Sequence, residues 1–226
     1  MVLHTKKRHE HTSSGFTIIE LMIATLVFAT VLLVVTTGII QFTRSYYRGA
    51  TVAKTQDTAR TIMDTVAQSI QYGNPLPTVV DVAGTPQFFC AGGYQFIFTK
   101  GVQYKLEPLQ PSNVGLFLVS APSECETPNP LPADNRRQLL NNNMRLLELD
   151  QNHAGNGLYS VAVTVAYGDN DLLCDSSTPE TCEQAAATLS DVNLAAAGSK
   201  VRCKQQAGSE FCAVSTLSTT VKKRIQ

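Results

Sequence analysis

Charge is what the amino-terminal part of this chain lacks. Between Phe16 and Ile40 the only charged side chain is Glu20, so the stretch cannot be a solvated surface helix, which would carry a polar face. Proline is missing before Pro75, and nothing in the backbone chemistry therefore interrupts a helix up to that point. Histidine is scarce: beyond His4, His9 and His11 there is only His153, set in a polar Asn-Gly loop. Because that one imidazole sits in a polar loop and reads as a solvated turn residue, no Ser-His-Asp triad is nominated, and with no CxxC pair a zinc site has no ligand spacing to rest on. A phosphate-cradling glycine loop is absent, and the carboxylates are too scattered for paired acid-base work. No N-x-[ST] acceptor occurs. Together these absences point away from an enzyme.

What is present begins with length. A helix rising about 1.5 Å per residue from Phe16 to Ile40 can cross a bilayer core of roughly 30 Å. Lys6, Lys7 and Arg8 outnumber Glu10 just ahead of it, which by the positive-inside rule places that end in the cytoplasm and everything after Gln41 outside. The 226 residues then leave room for one membrane segment and one globular unit. All six cysteines, Cys90, Cys125, Cys174, Cys182, Cys203 and Cys212, fall on the outer side, where disulfides persist. Six cysteines allow 15 pairings; the short spacings make Cys174 with Cys182 and Cys203 with Cys212 the first expectation, leaving Cys90 with Cys125. Residues 1–15 are polar and basic without an apolar core of their own, unlike a secretory signal whose apolar region is discarded.

The segment Gly15-Phe16-Thr17-Ile18-Ile19-Glu20-Leu21 resembles the cleavage and methylation site of type IV prepilins and of the pseudopilins of type II secretion. The basic leader, the glycine, the phenylalanine, the acid and the uninterrupted apolar helix all stand in register, and the resemblance covers about the first quarter of the chain. It implies that a membrane-embedded aspartic prepilin peptidase cuts after Gly15 and methylates Phe16, and that Glu20 guides assembly into a filament. The physical chemistry agrees. Glycine has no side chain to obstruct a protease, and an acid inside an apolar helix is costly enough to need a partner. The Phe16 amine of a neighbouring subunit would supply one. Where many major pilins carry proline in the second half of this segment, this chain has Thr36-Thr37-Gly38, residues that either loosen the helix locally or bond back to its own carbonyls.

Beyond Ile40 helical periodicity continues, with Ala59, Ile62, Met63, Val66, Ala67 and Ile70 three and four apart and Asp57, Arg60, Asp64 and Gln68 between them, an amphipathic pattern ended by Gly73-Asn74-Pro75. A helix from Phe16 to Tyr72 would be roughly 85 Å long. Arg44, Tyr46, Tyr47 and Arg48 form a basic aromatic collar suited to a lipid interface. The expected domains are a removed leader over 1–15, a transmembrane and filament-core helix over 16–40, an amphipathic helix over 41–72, and an extracytoplasmic β-rich head over 73–226. In the head, strand patterns predict Gln87–Cys90, a hairpin of Tyr94–Lys100 with Val102–Glu107, a strand Val114–Ser120, a hairpin of Met144–Leu149 with Leu158–Tyr167 turning through 151–157, and a last strand Phe211–Val221. Pro122 to Pro132 reads as a loop, and a short helix is expected from Glu180 to about Leu189 with Thr178 as its cap. The fold class is α+β: a long N-terminal helix packed on an antiparallel, disulfide-stapled sheet head.

Asp169, Asn170, Asp171 and Asp175 place four oxygen-bearing side chains in one short loop, a start toward a calcium site though without the EF-hand pattern and equally ordinary for a turn. Lys222, Lys223 and Arg224 make a small basic cluster that could touch DNA phosphates or be a solvated end. The expectation is thus a structural subunit, a minor pilin or pseudopilin, single-pass in the cytoplasmic membrane before assembly and in an extracellular or periplasmic filament afterwards. The length and loop content of the head favour a minor over a major subunit. Its partners would be the prepilin peptidase, other pilin subunits met through the N-terminal helix, inner-membrane assembly machinery and membrane lipid. The rival readings are a filament-displayed adhesin or DNA-binding tip module, and a single-pass surface protein that never assembles.

Overall fold

The computed structural model describes residues 15–73, 86–105, 115–120, 136–177, 182 and 188–224. The chain divides into two units, Met1–Thr43 and Arg44–Gln226. Helix α1, Ile18–Tyr72, runs for 55 residues through the division.

In the first unit α1 is apolar and exposed throughout, from Ile18 to Phe42, and it is long and apolar enough to cross a membrane. Its hydroxyls are satisfied within the helix. Thr25 donates to the Met22 carbonyl, Thr30 to Val27, Thr36 to Leu32 and Thr37 to Val34, all at 2.7–2.9 Å. The helix is unbroken across Thr36-Thr37-Gly38, and both threonines bond back to its own carbonyls.

In the second unit the stripe read from the sequence becomes the core. Ala59, Ile62, Met63, Val66 and Ile70 are buried against two antiparallel sheets, and Ala67 is partly buried beside them. The first sheet has the order β1-β2-β3-β4 and the second β5-β6-β9, with β7 and β8 forming a separate pair. The strands are β1 Gln87–Ala91, β2 Tyr94–Phe98, β3 Leu116–Ser120, β4 Arg137–Gln138, β5 Met144–Gly155, β6 Leu158–Tyr167, β7 Leu173–Asp175, β8 Val201–Cys203 and β9 Ala213–Lys222. A short helix α2, Asp191–Ala197, lies between β7 and β8. Phe89, Phe96, Phe98, Leu116 and Leu118 of the first sheet and Val161, Val163 and Val165 of β6 meet the helix stripe. A satellite core of Leu147, Ala166, Leu173, Leu194 and Val201 lies under α2. The α+β architecture is the one expected.

Two pairings differ from expectation. β2 pairs with β1, not with residues 102–107: Gly92 and Gly93, both at positive φ, make the two-residue turn that antiparallel strands of this twist require. Residues 102–105 are not a strand; Lys100 and Gln103 make only isolated bridges to β5. The turn placed over 151–157 shrinks to Asn156-Gly157 because β5 continues to Gly155, with irregularities in register between Leu146 and Glu148 and between His153 and Gly155. The first of these changes the alternation: Met144 and Leu146 point into the main core before it, and Leu149 does so after it, while Leu147 turns to the satellite core. Strands β4, β7 and β8 are too short to show a periodic pattern. The expected helix over 180–189 falls almost wholly outside the described residues, as do Thr178, Pro122–Pro132 and Cys125. Helix α2 starts two residues after the helix expected there was to end, with Ser190 accepting from the Asn193 N–H as its cap.

Cys174 is bonded to Cys182 and Cys203 to Cys212, with Cα separations of 5.1 and 5.8 Å. Closing loops this short constrains the unfolded chain by about 2–3 kcal/mol each on the loop-entropy account. Cys90 is also in a disulfide; Cys125, its expected partner, lies outside the described residues.

Candidate functional site

The N-terminal motif sits where α1 begins. Gly15, Phe16 and Thr17 precede the helix, nothing lies within 4 Å of where a Gly15 Cβ would stand, and the Phe16 side chain is 82% exposed. The backbone around the expected cut is thus open to approach. The Thr17 carbonyl accepts the first helical bond, from the Leu21 N–H at 3.2 Å.

Thr17 and Glu20 form a reciprocal capping box. The Thr17 N–H and hydroxyl both donate to Glu20 Oε2, at 2.9 and 2.7 Å, and the Glu20 N–H donates to Thr17 Oγ1 at 3.3 Å. Two orphan N–H groups of the first turn are satisfied in this way. The signal was present in the sequence as Thr-x-x-Glu ahead of an apolar run, but the functional motif overlies it and draws attention to the acid alone. Both bonds go to one carboxylate oxygen. Oε1 accepts none among the described residues, so the group can cap its own helix and still meet a cation from elsewhere.

The loop nominated for calcium does not gather its oxygens. Asp169 Oδ1 accepts from Gln103 Nε2 at 3.1 Å. Asn170 Nδ2 donates to the Leu189 carbonyl at 3.0 Å and to Asp191 Oδ1 at 2.9 Å. Asp175 Oδ1 accepts from the N–H and hydroxyl of Ser177 at 2.8 and 2.6 Å. These bonds hold the Asp175 carboxyl below the usual carboxylate range, the Ser177 hydroxyl contributing most. Among the described residues no three His, Cys, Asp or Glu side chains are grouped to hold a metal. In this structure the polar groups of the loop serve as turn caps and staples.

What organises that loop is a residue the sequence reading passed over. Arg145 is fully buried. Its Nη1 donates to the Gly101 carbonyl at 3.1 Å and to Asp191 Oδ1 at 3.3 Å, and its Nη2 to the Gly168 carbonyl at 2.9 Å. Burial pushes the guanidinium pKa down, and the charges of Asp191 and Asp169 oppose that shift; the group remains a cation. Gly101 is at φ +81° and a Cβ there would fall 2.0 Å from the Asp191 carbonyl. Only glycine lets the Gly101 segment approach α2 so closely. One guanidinium thereby joins β5, the Gly101 turn, the end of β6 and the start of α2.

The collar residues are all exposed; Arg44 reaches Glu210 at 4.0 Å and the Tyr47 ring lies 5.7 Å from that of Phe211. The His153 ring lies 4.8 Å from that of Tyr159 across the β5-β6 hairpin, tilted by 44°. The backbone of the C-terminal basic cluster is tied down: Lys223 N–H donates to the Gly157 carbonyl and Arg224 N–H to that of Gln71. No family model, curated protein or solved structure was found to match this chain.

Proposed function

We propose that this chain is a minor pilin or pseudopilin, a structural subunit cut after Gly15, methylated on Phe16 and built into a filament through α1. The observation that carries the reading is a register. Gly15, Phe16 and Glu20 stand in the prepilin spacing at the start of one helix that is apolar and exposed through Phe42 and buried in a disulfide-stapled head from Thr55 onward. An exposed apolar helix of this length needs lipid or other helices around it, and a subunit that moves from one to the other uses both. In this reading Glu20 meets the Phe16 amine of a neighbouring subunit, the prepilin peptidase and the inner-membrane assembly machinery act on the leader and helix, and the head is displayed outside.

The test is the amino terminus of the mature protein. Mass spectrometry of the chain purified from its native membrane should find N-methylated Phe16 as the first residue. A terminus that retains residues 1–15 would overturn the proposal in favour of a plain membrane anchor.

A further inference from the structure

Strand β9 forms one edge of the second sheet, and its free side can be assigned residue by residue. Its pairing with β6 runs without a shift from Leu158↔Lys222 to Tyr167↔Ala213. Just past that ladder the Lys223 N–H donates to the Gly157 carbonyl at 2.9 Å. Antiparallel bonds recur at every second residue, so Val221, Thr219, Leu217, Ser215 and Ala213 are the residues bonded to β6. The N–H and C=O groups of Val214, Thr216, Ser218, Thr220 and Lys222 face the other way. Two contacts agree with this assignment. The Arg224 N–H, next in the outward series, turns away from β6 to the Gln71 carbonyl at 3.0 Å, and the Thr164 and Thr216 hydroxyls meet at 3.2 Å, as side chains do in the closer, non-bonded pairs. At the other end the Cys212 N–H donates to the Ser209 carbonyl at 3.2 Å. Between these two closures the outward residues make no backbone bond on that side among the described residues, and Thr216, Ser218, Thr220 and Lys222 are exposed.

Sheet edges are ordinarily blunted by proline, bulges, brevity, charge or a covering segment. The opposite edge of this sheet has such a cover: the Gly101 N–H donates to the Leu146 carbonyl at 2.7 Å and the Tyr104 N–H to that of Met144 at 2.8 Å. β9 carries no proline and no break in register, and its one charge is Lys222 at the end. We propose that the edge over residues 214–222 takes up an extended, uncharged segment of a second protein as a further strand of the sheet. A row of backbone donors and acceptors repeating about every 7 Å is matched by another extended backbone and by no compact ligand. The rim sets the side chains of that segment, since the hydroxyls of Thr216, Ser218 and Thr220 pair across a ladder with other hydroxyl residues. Direction speaks against a second copy of this chain. β9 runs the same way as the part of α1 it accompanies, with Arg44 4.0 Å from Glu210 just before the strand and the Gln71 carbonyl bonded to Arg224 just after it. An antiparallel pair of β9 strands would set these helix segments in opposite directions, whereas subunits joined through α1 share one. That choice of partner rests on the filament reading above; the open edge does not.

The full chain in detergent, titrated with a labelled octapeptide of alternating threonine and valine and followed by fluorescence anisotropy, tests this. The octapeptide should bind, and the same sequence N-methylated at every amide should not, because it has no donors for the edge. Ser218→Pro removes one outward N–H and leaves the bonds to β6; it should weaken binding about tenfold, and Ser218→Thr should not change it. Slow hydrogen exchange at Leu217 and Thr219 shows that Ser218→Pro is folded, and Thr220→Pro repeats the test one step along the edge if it is not. Equal binding of the two peptides, binding of neither, or a Ser218→Pro chain that binds as the parent does would overturn the edge. So would slow exchange at the Ser218 and Thr220 amides of the free chain, which would show the edge already taken. A dimer in sedimentation that Ser218→Pro dissociates would make the occupant a second copy and overturn the choice of a second protein. The amino terminus of the same sample separates the two readings. Methylated Phe16 with equal binding of the peptides refutes the edge and leaves the pilin, and an uncut leader with selective binding does the reverse.

Discussion

Glu20 Oε2 lies 2.7 Å from the Thr17 hydroxyl and 2.9 Å from the Thr17 N–H, so the acid of the N-terminal motif is engaged within its own first turn before any neighbour arrives. Two functions, capping and docking, are thereby assigned to one side chain, and they can be separated because a cap needs an oxygen and a docking pair needs a charge.

Glu20→Gln keeps an acceptor for Thr17 and removes the charge. Membrane insertion should be unchanged, while recovery of the subunit in sheared filaments should fall to background. Thr17→Val does the opposite, costing about 1 kcal/mol of helix-start stability with incorporation retained. Normal incorporation of Glu20→Gln would remove the charge-pairing idea.

Arg145→Leu leaves the Gly101 and Gly168 carbonyls without their donor, and loss of a buried charged partner of this kind costs about 3–5 kcal/mol. Asp191 is less demanding because its side chain is 43% exposed and water can replace the guanidinium. Asp191→Asn should cost about 1 kcal/mol. Urea denaturation of the detergent-solubilised chain, followed by tyrosine fluorescence, measures both. Equal losses would place the value of Arg145 in the ion pair and not in its two carbonyl bonds.

The Asp175–Ser177 turn carries a pH dependence with a definite sign. The folded carboxyl lies below its ordinary value because the Ser177 hydroxyl and N–H favour the charged form, with Lys200 adding to them. A depressed folded pKa means that the unfolded chain binds the proton first on acidification. The contribution is complete above the unfolded Asp value of about 3.9 and fades as pH falls through the lower folded value. In Ser177→Ala the carboxyl-carbon NMR titration of Asp175 should move up toward the ordinary value. An unmoved midpoint would show that Ser177 does not set it.

The features legible in the sequence were those with long or repeated signals. The apolar span, the stripe from Ala59 to Ile70, the Val161-Val163-Val165 alternation and the short-range disulfides each rest on several residues pointing one way. The misses had short signals or competing ones. Gly92-Gly93 between two apolar runs is a hairpin signal, but the Pro- and Gly-rich stretch before it hid the strand pairing. Ser190-Asp191 opens α2, yet Pro179 offered an earlier start. Arg145 carries no local signal of burial, since nothing near it in sequence shows that the Gly101, Gly168 and Asp191 acceptors, far apart in the chain, surround it. At the candidate site the spacing of Gly15, Phe16 and Glu20 was legible in full. The open edge of β9 was not, because nothing local shows which strands flank it.

The irregularity of β5 near Leu147 constrains the gene in an uncommon way. Met144 and Leu146 enter the main core on one parity and Leu149 on the other, so the strand depends on carrying one residue more than a regular ladder would need. Replacing Leu147 by another apolar residue would trim the satellite core. Deleting it would leave Leu149 two positions after Leu146, on the same core face of a regular ladder, and would take a side chain out of the satellite core. In this stretch of the coding sequence a lost codon at Leu147 would cost the satellite core a side chain while the residues after it kept their faces.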